Sequence, residues 1–257
     1  MRKRISKIAV NVLRRKGFHH ISRFDKTFFQ GVILSSFSQK SKDSTFKVIQ
    51  VGANTTATRK KNSLGDPLVW FLKQYGSEVS IIYVEPQISL KEELIKNTDN
   101  LCAESFYEFV AISSTKGSLD LYRPNPAYMP FSSGVASLHE ANVLKRVKVR
   151  YKKPELGKHY LKDKVELKNL TEVSKVFKNI DASKQICDFL VVDAEGHDDE
   201  VIYSIEDPKT LPNAISFEWK NLSNEKFNNL REFLKSNEYI VHHWSHADCI
   251  AIKIRSF

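Results

Sequence analysis

Four short apolar runs of this chain each stop abruptly at a small or acidic residue. Phe46–Val51 (FKVIQV) stops at Gly52-Ala53-Asn54, Ser80–Val84 (SIIYV) at Glu85-Pro86, Cys187–Val192 (CDFLVV) at Asp193-Ala194-Glu195-Gly196, and Ala214–Phe217 (AISF) at Glu218-Trp219. Runs this short and this rich in β-branched residues read as strands buried on both faces. The segments between them carry helix signals. Asp66-Pro67 opens a helix over Leu68–Tyr75 that Gly76 ends, and Ser223 caps one that runs to Ser236. Further helices are predicted over Ser89–Lys96, Leu170–Asn179 and Asp199–Ser204. Such alternation builds a mostly parallel sheet with helices on both faces. The last two strands, Tyr239–Trp244 and Cys249–Ile254, are joined only by Ser245–Asp248. A link this short cannot cross over to a parallel neighbour, so the pair is antiparallel. The expectation is an α/β fold whose seven-stranded sheet is closed by a C-terminal antiparallel hairpin. Phe106–Ile112 and Ser118–Tyr122 also read as strands, and the alternation of Val147, Val149 and Tyr151 suggests another.

Charge divides the chain. The formal total is +10, but residues 1–26 alone carry +8 and Leu144–Lys168 a further +7, which leaves a mildly acidic body. The expected organisation is therefore a basic extension over 1–26 and a single domain over 27–257 with a basic insertion near 123–168. Ile5, Ile8, Ala9, Val12 and Leu13 form one helical stripe flanked by basic residues. That pattern suits a helix lying on an anionic membrane through residues 1–16; a docked terminal helix, a tail or a mitochondrial presequence are the other readings. The apolar run is too short for a secretory signal, and no later stretch approaches ~20 apolar residues. A cytoplasmic protein with peripheral membrane contact is the expectation. Cys102, Cys187 and Cys249 are scattered and odd in number, which argues against a disulfide framework or a zinc site. His242, His243 and His246 cluster in sequence, but neighbours on a strand face opposite sides, so they do not suggest a shared metal.

In an open parallel sheet, ligands sit at the carboxyl ends of the strands. Here those ends carry Gly52-Ala53-Asn54, Glu85, Asp193 with Glu195, and Glu218, with no basic residue among them. A dinucleotide needs a glycine-rich pyrophosphate cradle, and this turn has one glycine. A nucleoside without phosphates suits the site better. Glu85 is placed to accept hydrogen bonds from ribose hydroxyls, and an acidic pocket favours a positive sulfonium. S-adenosylmethionine meets both conditions.

These residues resemble a known family. Val51-Gly52-Ala53-Asn54, Asp66-Pro67-Leu68, Val84-Glu85-Pro86, Val110-Ala111-Ile112-Ser113, the segment Val192-Asp193-Ala194-Glu195-Gly196-His197-Asp198-Asp199-Glu200-Val201, and Ile215-Ser216-Phe217-Glu218 look like the FkbM-type S-adenosylmethionine-dependent methyltransferases. The resemblance covers about residues 46–254. It implies a Rossmann-like methyltransferase fold that methylates a hydroxyl of a sugar, glycan or glycan precursor. By that resemblance Gly52, Ala53 and Asn54 form the cofactor loop, Glu85 contacts the ribose, Ala111 and Ile112 lie near the adenine, and Asp193, Glu195 and Glu218 face the transfer site. The chain departs from the family at Thr55-Thr56, where members often carry a glycine.

Methyl transfer to oxygen is an in-line displacement that needs alignment and a group to take the hydroxyl proton. Asp193, Glu195 and His197 are the candidate bases, and His197 has the more suitable ordinary pKa. Asp193 and Glu218 could instead hold a divalent cation that binds two acceptor hydroxyls, although no spacing demonstrates one. Residues Phe131–His139, small and hydroxyl-rich, are expected over the site. A nicotinamide-dependent sugar enzyme is the weakest rival, because the phosphate cradle is absent, and two stronger rivals stand beside this reading. One is a nucleic-acid methyltransferase or binding protein using the basic segments, disfavoured because few aromatics interleave them. The other is a non-catalytic module of the same fold.

Overall fold

The computed structural model describes residues 26–40, 44–56, 67–129, 135–177 and 185–254. The expected N-terminal helix, Asp66, and residues 131–134 of the expected covering segment lie outside these residues.

Ten strands and seven α-helices are described. They are α1 (Lys26–Phe37), β1 (Phe46–Val51), α2 (Pro67–Tyr75), β2 (Val79–Val84), α3 (Lys91–Thr98), β3 (Glu104–Glu108), β4 (Ala111–Ile112), β5 (Gly117–Pro124), α4 (Glu140–Arg150), β6 (Tyr160–Lys168), α5 (Leu170–Ser174), β7 (Phe189–Val192), α6 (Asp198–Tyr203), β8 (Ala214–Glu218), α7 (Asn224–Ser236), β9 (Tyr239–His243) and β10 (Asp248–Lys253). The main sheet has seven strands in the order β3-β2-β1-β7-β8-β10-β9. The first five are parallel; β10 is antiparallel to both β8 and β9. This is the Rossmann-like sheet with its closing hairpin. Strand order reverses between β1 and β7, so a crevice opens at their carboxyl ends.

Side chains alternate across each strand, and each face of the sheet buries its own core. Ile49 and Val51 of β1 face a cluster that takes Leu170 and Val173 from α5, Val201 and Ile202 from α6, and Leu230 and Leu234 from α7. Phe46 and Val48 face the other way, onto Phe29 and Ile33 of α1, Leu68, Phe71 and Leu72 of α2, and Leu94 of α3. Both faces of β1 and β2 are thus covered, which is why these strands read as continuous apolar runs.

Over 104–168 the expected strand Ser118–Tyr122 is present within β5, but two other readings fail. Phe106–Ile112 is not one strand: it breaks after Glu108, and Ala111–Ile112 leaves for a second sheet of order β4-β6-β5. Nor do Val147, Val149 and Tyr151 make a strand. Glu140–Arg150 is helical because Val143 and Val147, four residues apart, pack onto Tyr160, while Val149 is 86% exposed. The alternation that suggested a strand placed one valine in water. Tyr160 Oη donates to Glu140 Oε1 at 2.7 Å, and this ties the start of α4 to β6. The 111–168 region therefore forms a small layer of its own against the carboxyl end of the main sheet.

Candidate active site

The loop after β1 is built on backbone contacts. Gly52 and Ala53 donate their N–H groups to the Val84 carbonyl at 2.9 and 3.1 Å. Gly52 has φ +77, and a Cβ there would stand 1.9 Å from the Asp193 carbonyl oxygen. Glycine at this position lets the ends of β1 and β7 approach; it forms no phosphate cradle. Asn54 and Thr56 are left-handed, at φ 50 and 47. Thr56 occupies one of the two positions where the family often has glycine, and the backbone shape explains the preference.

Glu85 is 3% exposed at the end of β2. Its carboxylate accepts the N–H of Asn54 at 2.8 Å, and the N–H and side-chain amide of Gln87 at 2.9 and 3.2 Å. Burial raises its pKa, against the lowering effect of these donors. The three donors fix the carboxylate and leave further lone pairs for a ligand. Glu85 borders a cleft of about 630 Å3, open mouth included, whose lining also has Gly52, Asn54, Gln87, Ala111, Ile112, Leu121, Ala136, Ser137, Leu138, Asp193, Glu195 and His197.

Structure gathers the candidates from five segments, but not uniformly. Ala53 is buried in the second core cluster and does not line the cleft, and Glu218 stands behind Glu195. Asn221 joins these two acids: its side-chain amide donates to Glu195 Oε2 at 2.8 Å and to Glu218 Oε2 at 2.7 Å. Glu195 holds φ 48, a conformation rare for a residue with a Cβ, followed by Gly196 at φ 94. Its carbonyl oxygen accepts from Ser137 Oγ and Asn142 Nδ2, both at 2.8 Å. Asp198 is fully buried and closes the turn: it accepts the N–H of Glu218 at 3.0 Å and of Gly196 at 3.3 Å. Asp198 stands in the family-like segment Val192–Val201 with no role assigned to it, whereas Ser137, Asn142 and Asn221 carry no sequence signal that singles them out for the site. Only the expectation that Phe131–His139 covers it touched this set, through Ser137.

Electrostatically the cleft is acidic and crowded. Asp193 is open to the water of the cleft. The protein around it, and then the carboxylates of Asp198, Glu195, Glu218 and Asp248, push its carboxyl up, and that water moderates the effect. Glu195 is raised to about 7 by burial and by Glu218. Glu218 is raised chiefly by burial, with Asp248 adding to it. A cation entering this space relieves the repulsion. Among the described residues, no group of three or more His, Cys, Asp or Glu side chains is arranged to hold a metal ion. His197 departs from the expected ordinary pKa. It is 7% exposed, and burial, with His139 and Lys226, lowers it to about 4.

The residues fit S-adenosylmethionine. Glu85 offers fixed acceptors for a ribose, Val110, Ala111, Ile112 and Leu121 supply an apolar wall for a base, and the acids favour a sulfonium. When bound, that cofactor supplies an activated methyl group.

The sheet order and this acid-rimmed crevice, whose first turn has a single glycine, define a Rossmann-like fold of the methyltransferase kind. The model of the family described as "Methyltransferase FkbM domain" matches residues 50–241, and the chain belongs to that S-adenosylmethionine-dependent family. No curated protein matches the chain in sequence. Three solved structures illustrate its similarity in shape. An O-methyltransferase from Bacillus cereus in complex with SAH is 10% identical, TM-score 0.42, covering 96% of this chain and 88% of that one. A putative caffeoyl-CoA O-methyltransferase from Staphylococcus aureus is 7% identical, TM-score 0.45, covering 96% and 91%. A precorrin-6y C5,15-methyltransferase from Geobacter metallireducens GS-15 is 10% identical, TM-score 0.40, covering 91% and 93%.

Proposed function

We propose that this methyltransferase acts on oxygen, and that its acceptor is a hydroxyl of a sugar, glycan or glycan precursor. One observation carries the reading: Asp193, Glu195 and His197 border the same cleft as Glu85, so three proton acceptors line the pocket that would hold the cofactor. Carboxylates of this kind accept hydrogen bonds from neighbouring hydroxyls and orient one of them for displacement. Asp193, at the strand end beside Gly52, borders the cleft and holds the acceptor. Glu195, pinned through its carbonyl by Ser137 and Asn142 and through its carboxylate by Asn221, shapes the acceptor side.

The test has two arms on the full chain. Calorimetric titration with S-adenosylmethionine and S-adenosylhomocysteine is expected to show micromolar binding that Glu85→Ala abolishes. Transfer of a 13C-methyl label is then followed over nucleotide sugars, oligosaccharides and RNA, with label expected as a sugar O-methyl. Absence of cofactor binding by folded protein makes the chain a non-catalytic module, and label found only in RNA establishes the nucleic-acid rival.

A further inference from the structure

His139 precedes α4 and His197 precedes α6, so their sequence separation hides a contact. His197 Nδ1 lies 3.4 Å from His139 Nε2, and the ring centroids are 5.4 Å apart. His197 borders the cleft and is 7% exposed, yet its buried Nε2 has no hydrogen-bond partner among the described residues. A buried ring nitrogen without a partner is costly, so this atom marks a place for a ligand's donor. His139 is only half-buried, so the pair leads from the cleft towards solvent. The segment that carries His139 is fixed at the same turn: Ser137 Oγ accepts the His139 N–H at 3.1 Å while donating to the Glu195 carbonyl.

We propose that His197 is the catalytic base of the transfer and that His139 is a positioning residue that orients it and shares its positive charge. The inference rests on the hydroxyl-acceptor reading above. In the resting pair the His197 Nδ1 proton is donated to His139 Nε2, which leaves the His197 Nε2 lone pair for the acceptor. As the acceptor O–H bond breaks, its proton goes to His197 Nε2 and the Nδ1 proton passes to His139. The oxygen pair forms the bond to the methyl carbon, and the pair of the breaking carbon–sulfur bond stays on sulfur. When the product leaves, the Nδ1 proton returns from His139 and water takes the proton on His197 Nε2, which restores the resting tautomers.

The groups around the pair agree with this direction of flow. Burial and Lys226 of α7 hold both rings neutral, and His139 is further favoured in its charged form by Asp199 and Glu200 of α6 and by the Gly196 carbonyl. Lys226 is itself paired with Asp199, 3.0 Å away, so its charge is partly compensated.

The experiment uses full-length protein with 15N-labelled histidine, in which ring nitrogen shifts report both titration and tautomer without any acceptor present. His197 is expected to titrate well below the ordinary range, with its proton on Nδ1. His139→Gln, which removes a neighbouring imidazole, is expected to move that titration upward by at least half a pH unit, to change the tautomer, and to move the acid limb of kcat the same way. His197→Gln is expected to lower kcat roughly 100-fold while S-adenosylhomocysteine affinity stays within twofold. A His139→Gln variant with unchanged ring titration, or a His197→Gln variant within threefold of wild-type kcat, overturns the proposal. If every sugar fails as acceptor while the cofactor binds, the acceptor reading falls, and the ring titration decides the histidine pair by itself.

Discussion

Asp198 illustrates how single residues set the chemistry of this cleft. It is fully enclosed and accepts two backbone N–H groups, yet burial outweighs them and raises its carboxyl from 3.8 to about 8. An acid raised on folding stabilises the fold fully below its unfolded pKa and loses that contribution as pH rises through the folded value. His197 runs the other way: lowered from 6.5 to about 4, it contributes above 6.5 and loses that as pH falls through about 4. Between pH 6.5 and about 8 only the acids act, with Glu195, raised to about 7, adding to Asp198. The Tm of the ligand-free protein is therefore expected to fall from pH 6.5 to 8, and Asp198→Asn to flatten that fall. A flat wild-type profile in differential scanning calorimetry contradicts the assignment. Much at this scale was legible beforehand. Glu85 and Asp193 were marked by ending apolar runs, and Gly52 by the turn. Asn221 and Asn142 were not legible, because an asparagine reports nothing until its partners, Glu195 and Glu218, are in place.

At the scale of elements, helices with a local start signal were readable. Ser223 accepts the Lys226 N–H at 3.2 Å, as its type and position predict, and α7 then carries Leu230 and Leu234 into the core. Removing that cap with Ser223→Ala is expected to cost about 1 kcal/mol, read from the urea midpoint at unchanged slope; no shift means that the cap contributes nothing. The element misread was α4. Its interior has Lys145, Arg146, Lys148 and Arg150 around only two buried valines, so the apolar stripe is too thin to show a helical period. Its contact with Tyr160 and the hydrogen bond to Glu140 decide the matter, and both partners are distant in sequence. The break between β3 and β4 is similar: local sequence continues, and pairing with β6 draws Ala111 and Ile112 away.

The whole molecule sets an acidic crevice in a chain of net charge +10. The excess lies in residues 1–26 and in the stretch that forms α4 and β6. We propose that the N-terminal extension holds the enzyme at an anionic membrane surface near its acceptors. Among the described residues, no helix is long and apolar enough to cross a membrane. Vesicles with about a third phosphatidylserine are expected to sediment the full chain at low salt and to release it in high salt. Deleting residues 1–16 is expected to abolish sedimentation while S-adenosylhomocysteine affinity is retained. Sedimentation unchanged by the deletion removes the extension from any membrane role.

By itself the sequence determined the main sheet, its parallel sense, its closing hairpin and the acids at its strand ends. Those follow from local quantities: apolar runs short enough for strands, a four-residue link too short to cross over, and side chains at the abrupt ends of those runs. Only the tertiary structure decided the second sheet, the helical state of α4, the clamp of Asn142 and Asn221 on Glu195, and the meeting of His139 with His197. Each of these is a contact between segments far apart in the chain, and its energy exists only once both partners are held against the same core.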